Sequence, residues 1–300
     1  MLVCRGTVQG RCQALVGHAP WQVHEGGGVS CALHPGGTDL GRNQRVAACA
    51  GKGANVSDTE SENKVAMVIM AHPDDAEFSC AGSVAKWVRE GWQVYYVVCT
   101  EAGSGGPDEA TEVGPQARAQ VSETRREEQR AAARVLGLAG VVFLDYRDGE
   151  LQPTLGFRRD IVRLLRTYRP YRVVCQSPER TWTPQMFLGA YHPDHRACGE
   201  GVMSALYPAS QNPWDFPELL AEGLGPHKVK ELYVVGAPNV NHWVDISETM
   251  DTKLEALTAH ASQFVGRSDE VMKRVREQRA LIGQKYGVAY AEEFHIAINR

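Results

Sequence analysis

The chain has no apolar run approaching the roughly 18 residues that a membrane-spanning helix needs, and no such helix is expected. Its opening residues, Met1–Val3, run straight into Cys4 and Arg5 without the apolar stretch of a secretory leader. It has no excess of basic residues. Lys and Arg total 32 against 36 for Asp and Glu, a formal net charge of −4, and this balance argues against a nucleic-acid partner. None of the eight cysteines forms a CxxC pair. A chain of 300 residues can bury a core without disulfides, so reduced thiols in a cytoplasmic protein are the simplest expectation. GxGxxG and GxxxxGK[ST] are both missing; the best glycine-rich stretch, Gly103-Ser-Gly-Gly106, follows the second strand and leads into Pro107. That is poor support for a nucleotide-binding protein.

Two regions differ in texture. Residues 1–63 are rich in Gly, Ser and Asn and keep neither strand nor helix periodicity. They read as an irregular or poorly ordered N-terminal extension to a domain spanning 64–300. Cys12, His18 and Cys31 within it match no usual metal spacing.

From Val65 the pattern changes. VAMVIMA (65–71) is a continuous apolar run of the kind found in a strand buried on both faces. Helical periodicity follows over 77–90, then a strand at 94–99, a helix at 116–136 closed by Gly137, and a strand at 141–144. A helix at 157–168, a strand at 172–176 and a helix from Pro193 to Leu206 come next. Strands at 232–236 and 242–246 and helices at 248–262 and 269–285 complete the reading. Alternating strands and helices predict an α/β, Rossmann-like, mostly parallel sheet with helices on both faces. Ligands of such sheets bind beyond the carboxyl ends of the strands. His72, Asp74, Asp75, Glu101, Asp145, Asp148, His192 and His195 all fall at such ends.

Two tripeptides carry the chemistry. In His72-Pro-Asp-Asp75 the HxxD spacing lets an imidazole and a carboxylate reach one point from one turn, a donor pair suited to Zn²⁺ or a similar divalent ion. Asp74 between them suits a general base, although Asp74 or Asp75 would equally cap the following helix. His192-Pro-Asp-His195 repeats the arrangement 120 residues later and offers a third ligand. One of its two histidines is then free to face the substrate, with Asp194 holding its ring.

AHPDDAEFSCAG (71–82) together with YHPDH (191–195) resembles the LmbE/PIG-L family of zinc-dependent N-deacetylases acting on N-acetylglucosamine units. RREEQRAAARVLG (125–137), FLDYRDGEL (143–151), WVDISETMDTKLEALTAHASQF (243–264) and KYGVAYAEEFHI (285–296) extend the likeness over about 65–300, towards the diacetylchitobiose and antibiotic deacetylase branches. The resemblance implies a zinc set of His72, Asp75 and His195, with other divalent metals tolerated. It implies Asp74 as general base, His192 as a charged oxyanion donor and Asp194 as the group orienting His192. Arg125, Asp148 and His260 fall where relatives contact substrate, and His260 in some relatives reaches a site across a subunit contact, so a homo-oligomer is implied as well. The expected partner is a small amino sugar. The chain departs from many relatives at Thr100-Glu101-Ala102-Gly103 and in the loop 177–191, which both bear on substrate choice. An amidase acting on a glucosamine-linked thiol conjugate and a non-catalytic carbohydrate-binding protein are the competing readings.

Overall fold

The computed structural model describes residues 64–182 and 191–300. The N-terminal extension read at 1–63, with Cys12, His18 and Cys31, lies outside the described residues.

Five parallel strands form most of the sheet: β1 (Val65–Met70), β2 (Gln93–Thr100), β3 (Gly140–Tyr146), β4 (Arg172–Gln176) and β5 (Glu231–Val235). Two more, β6 (His242–Asp245) and β7 (Ala291–Ile298), join antiparallel, giving the order β3-β2-β1-β4-β5-β7-β6. β1 is central, and its run is apolar throughout because both of its faces are covered. Successive side chains point to opposite faces. Val68 and Met70 pack on one side with Val84, Leu136 and Phe294. Met67 and Ile69 pack on the other with Phe157, Ile161 and Val173.

Eight α-helices accompany the sheet among the described residues: α1 (Asp75–Ser79), α2 (Ala81–Arg89), α3 (Pro115–Leu136), α4 (Leu155–Tyr168), α5 (Pro193–Ser204), α6 (Pro217–Ala221), α7 (Met250–Thr258) and α8 (Ser268–Tyr286). The single helix read over 77–90 is two, broken at Cys80, whose φ of −137° leaves the helical region. Residues 248–262 likewise shorten to α7 followed by a tight turn at Ala261–Gln263. α3 ends at Gly137 in the left-handed conformation, as the glycine there predicts. None of these helices is long and apolar enough to cross a membrane.

Periodicity revealed neither the short α6 nor β7. Its charged Glu292 is fully buried, held by the N–H of Gly82 (3.1 Å), the N–H and hydroxyl of Ser83 (2.7 and 2.6 Å) and Lys253 Nζ (2.7 Å). A buried carboxylate is tolerated only with such a full set of donors. Lys253, also fully buried, donates in addition to the Phe78 carbonyl over 2.9 Å.

The chain leaves β1 towards β2 and β3 on one side and later crosses to β4 on the other. Crossovers on opposite sides leave a crevice at the carboxyl ends of β1 and β4. Both His-Pro-Asp turns open there.

Candidate active site

The turn after β1 is anchored at Ala71. Its N–H is accepted by Gln176 Oε1 at 3.0 Å, and its carbonyl accepts both the N–H and the hydroxyl of Thr100 at 2.9 Å. His72 N–H then donates to Asp75 Oδ2 over 2.8 Å, which closes the turn. Asp74 sits at φ 79°, a left-handed conformation that costs a non-glycine residue about 1–3 kcal/mol. Asp74 makes no side-chain cap on α1, so helix capping does not explain its presence.

Three side chains, contributing four potential ligand atoms, converge beside this turn. His72 Nδ1 lies 3.3 Å from Asp75 Oδ2 and 3.3 Å from His195 Nε2, and His195 Nε2 lies 3.1 Å from Asp75 Oδ1. A tetrahedral ion with bonds of 2.0–2.2 Å sets its ligands about 3.3–3.5 Å apart. The two separations from His72 Nδ1 match that spacing, and the one between His195 and Asp75, made through the other carboxylate oxygen, is slightly shorter. His192 adds a ring 4.6 Å from that of His72, and the three histidines form a group able to hold a metal.

The opposite nitrogen of His72 meets two carboxylates. Its Nε2 lies 3.2 Å from Asp148 Oδ1 and 3.2 Å from Asp194 Oδ2, a second constellation with metal-ligand composition. Both carboxylates are already engaged. Asp194 accepts from Gly149 N–H (2.7 Å) and Leu151 N–H (3.2 Å), and Asp148 Oδ2 accepts from Ser104 N–H (2.9 Å). Two acceptors facing Nε2 favour a proton on that nitrogen, so that the neutral ring turns its Nδ1 lone pair towards Asp75 and His195. Burial alone lowers the His72 pKa, but the carboxylates of Asp148, Asp194 and Asp75 outweigh it and raise it well above its usual value. Burial opposes ionisation of Asp148, yet His72 draws its pKa down to about 2. His195 and His72 likewise hold Asp75 well below the carboxylate range against its burial.

Several expected roles change in this setting. The Asp194 carboxylate meets His72, not His192. What Asp194 gives His192 is its backbone N–H, donated to Nδ1 over 3.2 Å as His192 caps α5. Burial and the neighbouring His72 push the His192 pKa down, contrary to the charged donor anticipated from the sequence. With Nδ1 accepting, the neutral ring carries its proton on Nε2 and remains a donor.

The three residues read as substrate contacts are all enclosed by protein. Arg125 is 5% exposed and donates through Nη2 to the Pro73 carbonyl (2.8 Å) and to Asp74 Oδ2 (3.3 Å). Asp148 is committed to His72 and Ser104. His260 is fully buried, 3.4 Å from Glu77. Burial pushes the Asp74 pKa up to about 6, with Arg125 pulling the other way. Glu101 braces the loop after β2 by accepting from Arg118, Ser122 and the Gly103 N–H. Asp145 is exposed and pairs with Arg126 away from the turn.

Sequence reasoning missed two glutamines. Gln176, the last residue of β4, donates through Nε2 to Asp75 Oδ2 over 3.0 Å. Gln129, one helical turn beyond Arg125, accepts the Asp74 N–H over 3.3 Å. A polar residue ending an apolar strand at the switch point was the available signal for Gln176. Beside the donor triangle opens a cleft of about 460 Å³, lined by Asp75, His192 and His195 together with Tyr191, Val235 and Ile282. Tyr191 is fixed there through its hydroxyl to the Thr181 backbone, whereas Trp182 is 70% exposed.

The chain is similar to several known proteins. A family model described as PIG-L, GlcNAc-PI de-N-acetylase, matches residues 67–206. Diacetylchitobiose deacetylase of Thermococcus kodakarensis is 31% identical over 238 residues, covering 79% of this chain and 84% of that protein. A probable N-acetyl-alpha-D-glucosaminyl L-malate deacetylase 2 of Bacillus anthracis is 30% identical over 217 residues, covering 70% of this chain and 86% of that protein. Among solved structures, N,N'-diacetylchitobiose deacetylase from Pyrococcus horikoshii superposes with a TM-score of 0.70 at 28% identity, over 81% of this chain and 87% of that one. On this evidence the chain belongs to the PIG-L family.

Proposed function

We propose that this protein is a metal-dependent hydrolase that removes the acetyl group from an N-acetylglucosamine-type substrate. The observation that carries the reading is the convergence of His72 Nδ1, the two oxygens of Asp75 and His195 Nε2 at separations of 3.1–3.3 Å, with Asp74 in the same turn. The deacetylase names of the relatives support the substrate class.

A divalent ion such as Zn²⁺, held by His72, Asp75 and His195, would supply Lewis-acid polarisation of the amide carbonyl and lower the pKa of water to about 7. The same mixed His and Asp donors also suit Mn²⁺, Fe²⁺ or Co²⁺. The rest of the work falls to the chain's own groups. Asp74 takes the proton of the attacking water and returns it to the departing amine nitrogen. Its left-handed backbone and its contact with Arg125 fix where that carboxylate stands. His192 donates from Nε2 to the oxygen that gains charge in the tetrahedral adduct, a contribution typically worth about 3–4 kcal/mol per donor. Asp148 and Asp194 keep the His72 ring in one orientation and one tautomer. The cleft beside the triangle takes the sugar, with Tyr191 on its lining.

The deciding experiment measures acetate release from N-acetylglucosamine, diacetylchitobiose and N-acetylglucosaminyl conjugates, using metal-loaded protein and the same protein after chelation. Metal-dependent release from any of them supports the proposal and ranks the substrates. No release from protein with one tightly bound metal per chain moves the search to other amides. No release and no bound metal refutes it.

A further inference from the structure

Behind the Asp74 turn lies a row of buried polar side chains for which the reaction as described has no use. Glu77 on α1 and His260 are fully buried, and Gln129 on α3 is 1% exposed. Gln129 links the row to the turn. Its Oε1 accepts the Asp74 N–H over 3.3 Å, while its Nε2 donates to Glu77 Oε1 over 3.0 Å. The other oxygen of Glu77 lies 3.4 Å from His260 Nε2, a contact of charge and not an aligned hydrogen bond. Neither ring nitrogen of His260 has a hydrogen-bond partner among the described residues.

Taking a carboxylate, an amide and an imidazole out of water together is unfavourable unless each is well matched. Apolar residues would fill this space with less penalty. The arrangement is directional, however. A side-chain amide has one acceptor and one donor end. With Glu77 occupying the donor end, Gln129 can present only its oxygen to Asp74. That oxygen meets the backbone of a non-glycine residue at φ 79°, a conformation that persists only where its surroundings enforce it. Arg125, one turn earlier on α3, grips the Pro73 carbonyl and the Asp74 carboxylate. One face of α3 thus holds both the main chain and the side chain of Asp74.

We propose that Gln129 is a positioning residue for Asp74, oriented by the buried Glu77–His260 pair, and that its function is to keep the Asp74 backbone left-handed. This rests on the reading of Asp74 as the general base. The row touches no reacting atom and acts only through the turn.

The test compares Gln129→Met, Gln129→Glu, Glu77→Gln and the exchanged pair Glu77→Gln/Gln129→Glu, each with bound metal and melting temperature measured beside kcat and KM. Gln129→Met keeps the volume and removes both hydrogen bonds. It is expected to lower kcat about 10- to 100-fold, with KM within twofold and metal content unchanged. Gln129→Glu sets two carboxylates together and is expected to lose at least as much. The exchanged pair restores one donor and one acceptor between positions 77 and 129 and still offers an oxygen to Asp74, so it is expected to recover most of the rate. A crystal structure of Gln129→Met should show Asp74 out of the left-handed region. Wild-type kcat in Gln129→Met, or no recovery in a folded, metal-loaded exchanged pair, overturns the positioning role. Asp74→Asn is run alongside. If it keeps turnover, the general-base reading itself fails; if it is inactive while Gln129→Met is not, only the positioning role fails.

Discussion

Gln176 donates to Asp75 Oδ2 from the end of the neighbouring strand, over the same 3.0 Å at which its other end accepts the Ala71 N–H. One side chain therefore ties β4 to both ends of the His72–Asp75 turn. Asp75 Oδ2 already receives the His72 N–H, so it is filled by two donors, and Oδ1 is the oxygen that faces His195.

Gln176→Glu keeps the acceptor for Ala71 and replaces the donor to Asp75 with a negative charge. Metal affinity is expected to fall about 10- to 100-fold, the usual consequence of losing an outer contact to a ligand. Competition against a chromophoric chelator measures it. Affinity equal to wild type would show that Gln176 does not support Asp75.

Metal binding should also appear as stability. A ligand that binds only the folded state at 100 times its Kd adds about 2.7 kcal/mol, which in a domain of this size raises Tm by roughly 5–10 °C. Chelation should reverse that gain. His195→Ala should abolish the shift, so that its Tm is the same with and without metal. A metal-induced shift of full size in that variant would place the ion elsewhere.

Lys253 and Glu292 form a fully buried ion pair 2.7 Å apart. Removing one partner of such a pair strands the other and typically costs about 3–5 kcal/mol. Lys253→Met is expected to fall in this range by urea unfolding. Because Lys253 also holds the Phe78 carbonyl and Phe78 lines the cleft, KM should rise in the same variant.

His227 supplies a pH dependence remote from the site. Its Nε2–H donates to the Pro170 carbonyl over 2.8 Å, and burial, aided by Arg169 and Lys230, pushes its pKa below 6.5. The unfolded chain then binds a proton that the folded one resists, so folding stability rises with pH across that window. The contribution is complete above 6.5 and is lost progressively as pH falls from 6.5 through the lower, folded-state value. His227→Gln keeps a donor for Pro170 and removes the titration. Its unfolding free energy between pH 7 and 5 should decline less steeply than that of the wild type.

The parallel half of the sheet was legible in the sequence because its strands are buried on both faces and read as unbroken apolar runs. β1 shows this most clearly, with Ala66 to Met70 all buried. The first His-Pro-Asp turn was legible for a related reason, since its polar cluster directly follows the apolar run of β1, and the second because it repeats the same tripeptide at the start of α5. β7 was not legible, since Glu292 breaks its pattern and is paid for by Lys253, 39 residues earlier in the chain. The partners of His72 were hidden in the same way. Nothing local to residue 194 says that its carboxylate turns to residue 72 and not to the adjacent His192; only the crossing of α5 over the end of β1 decides it. Arg125 and His260 stand in family-like segments, and their burial depends on how α3 and the end of α7 close over the first turn.

The place of β7 in the sheet bears on the order of assembly. Among the described residues β6 pairs only with β7, and β7 is seated between β5 and β6. As a nascent chain leaves the ribosome, β6 and Lys253 emerge well before the strand that completes them. Until residues 291–298 arrive, β6 has no neighbour in the sheet, Lys253 has no carboxylate, and the N–H groups of Gly82 and Ser83 lack their acceptor. The hydrogen bonds that tie α2 to Glu292 are therefore made only when a strand slots into the interior of the sheet and is not added at its edge. A stalled or truncated translation product ending before Ala291 would carry every candidate metal donor and still lack the carboxylate that anchors α2 behind the first turn.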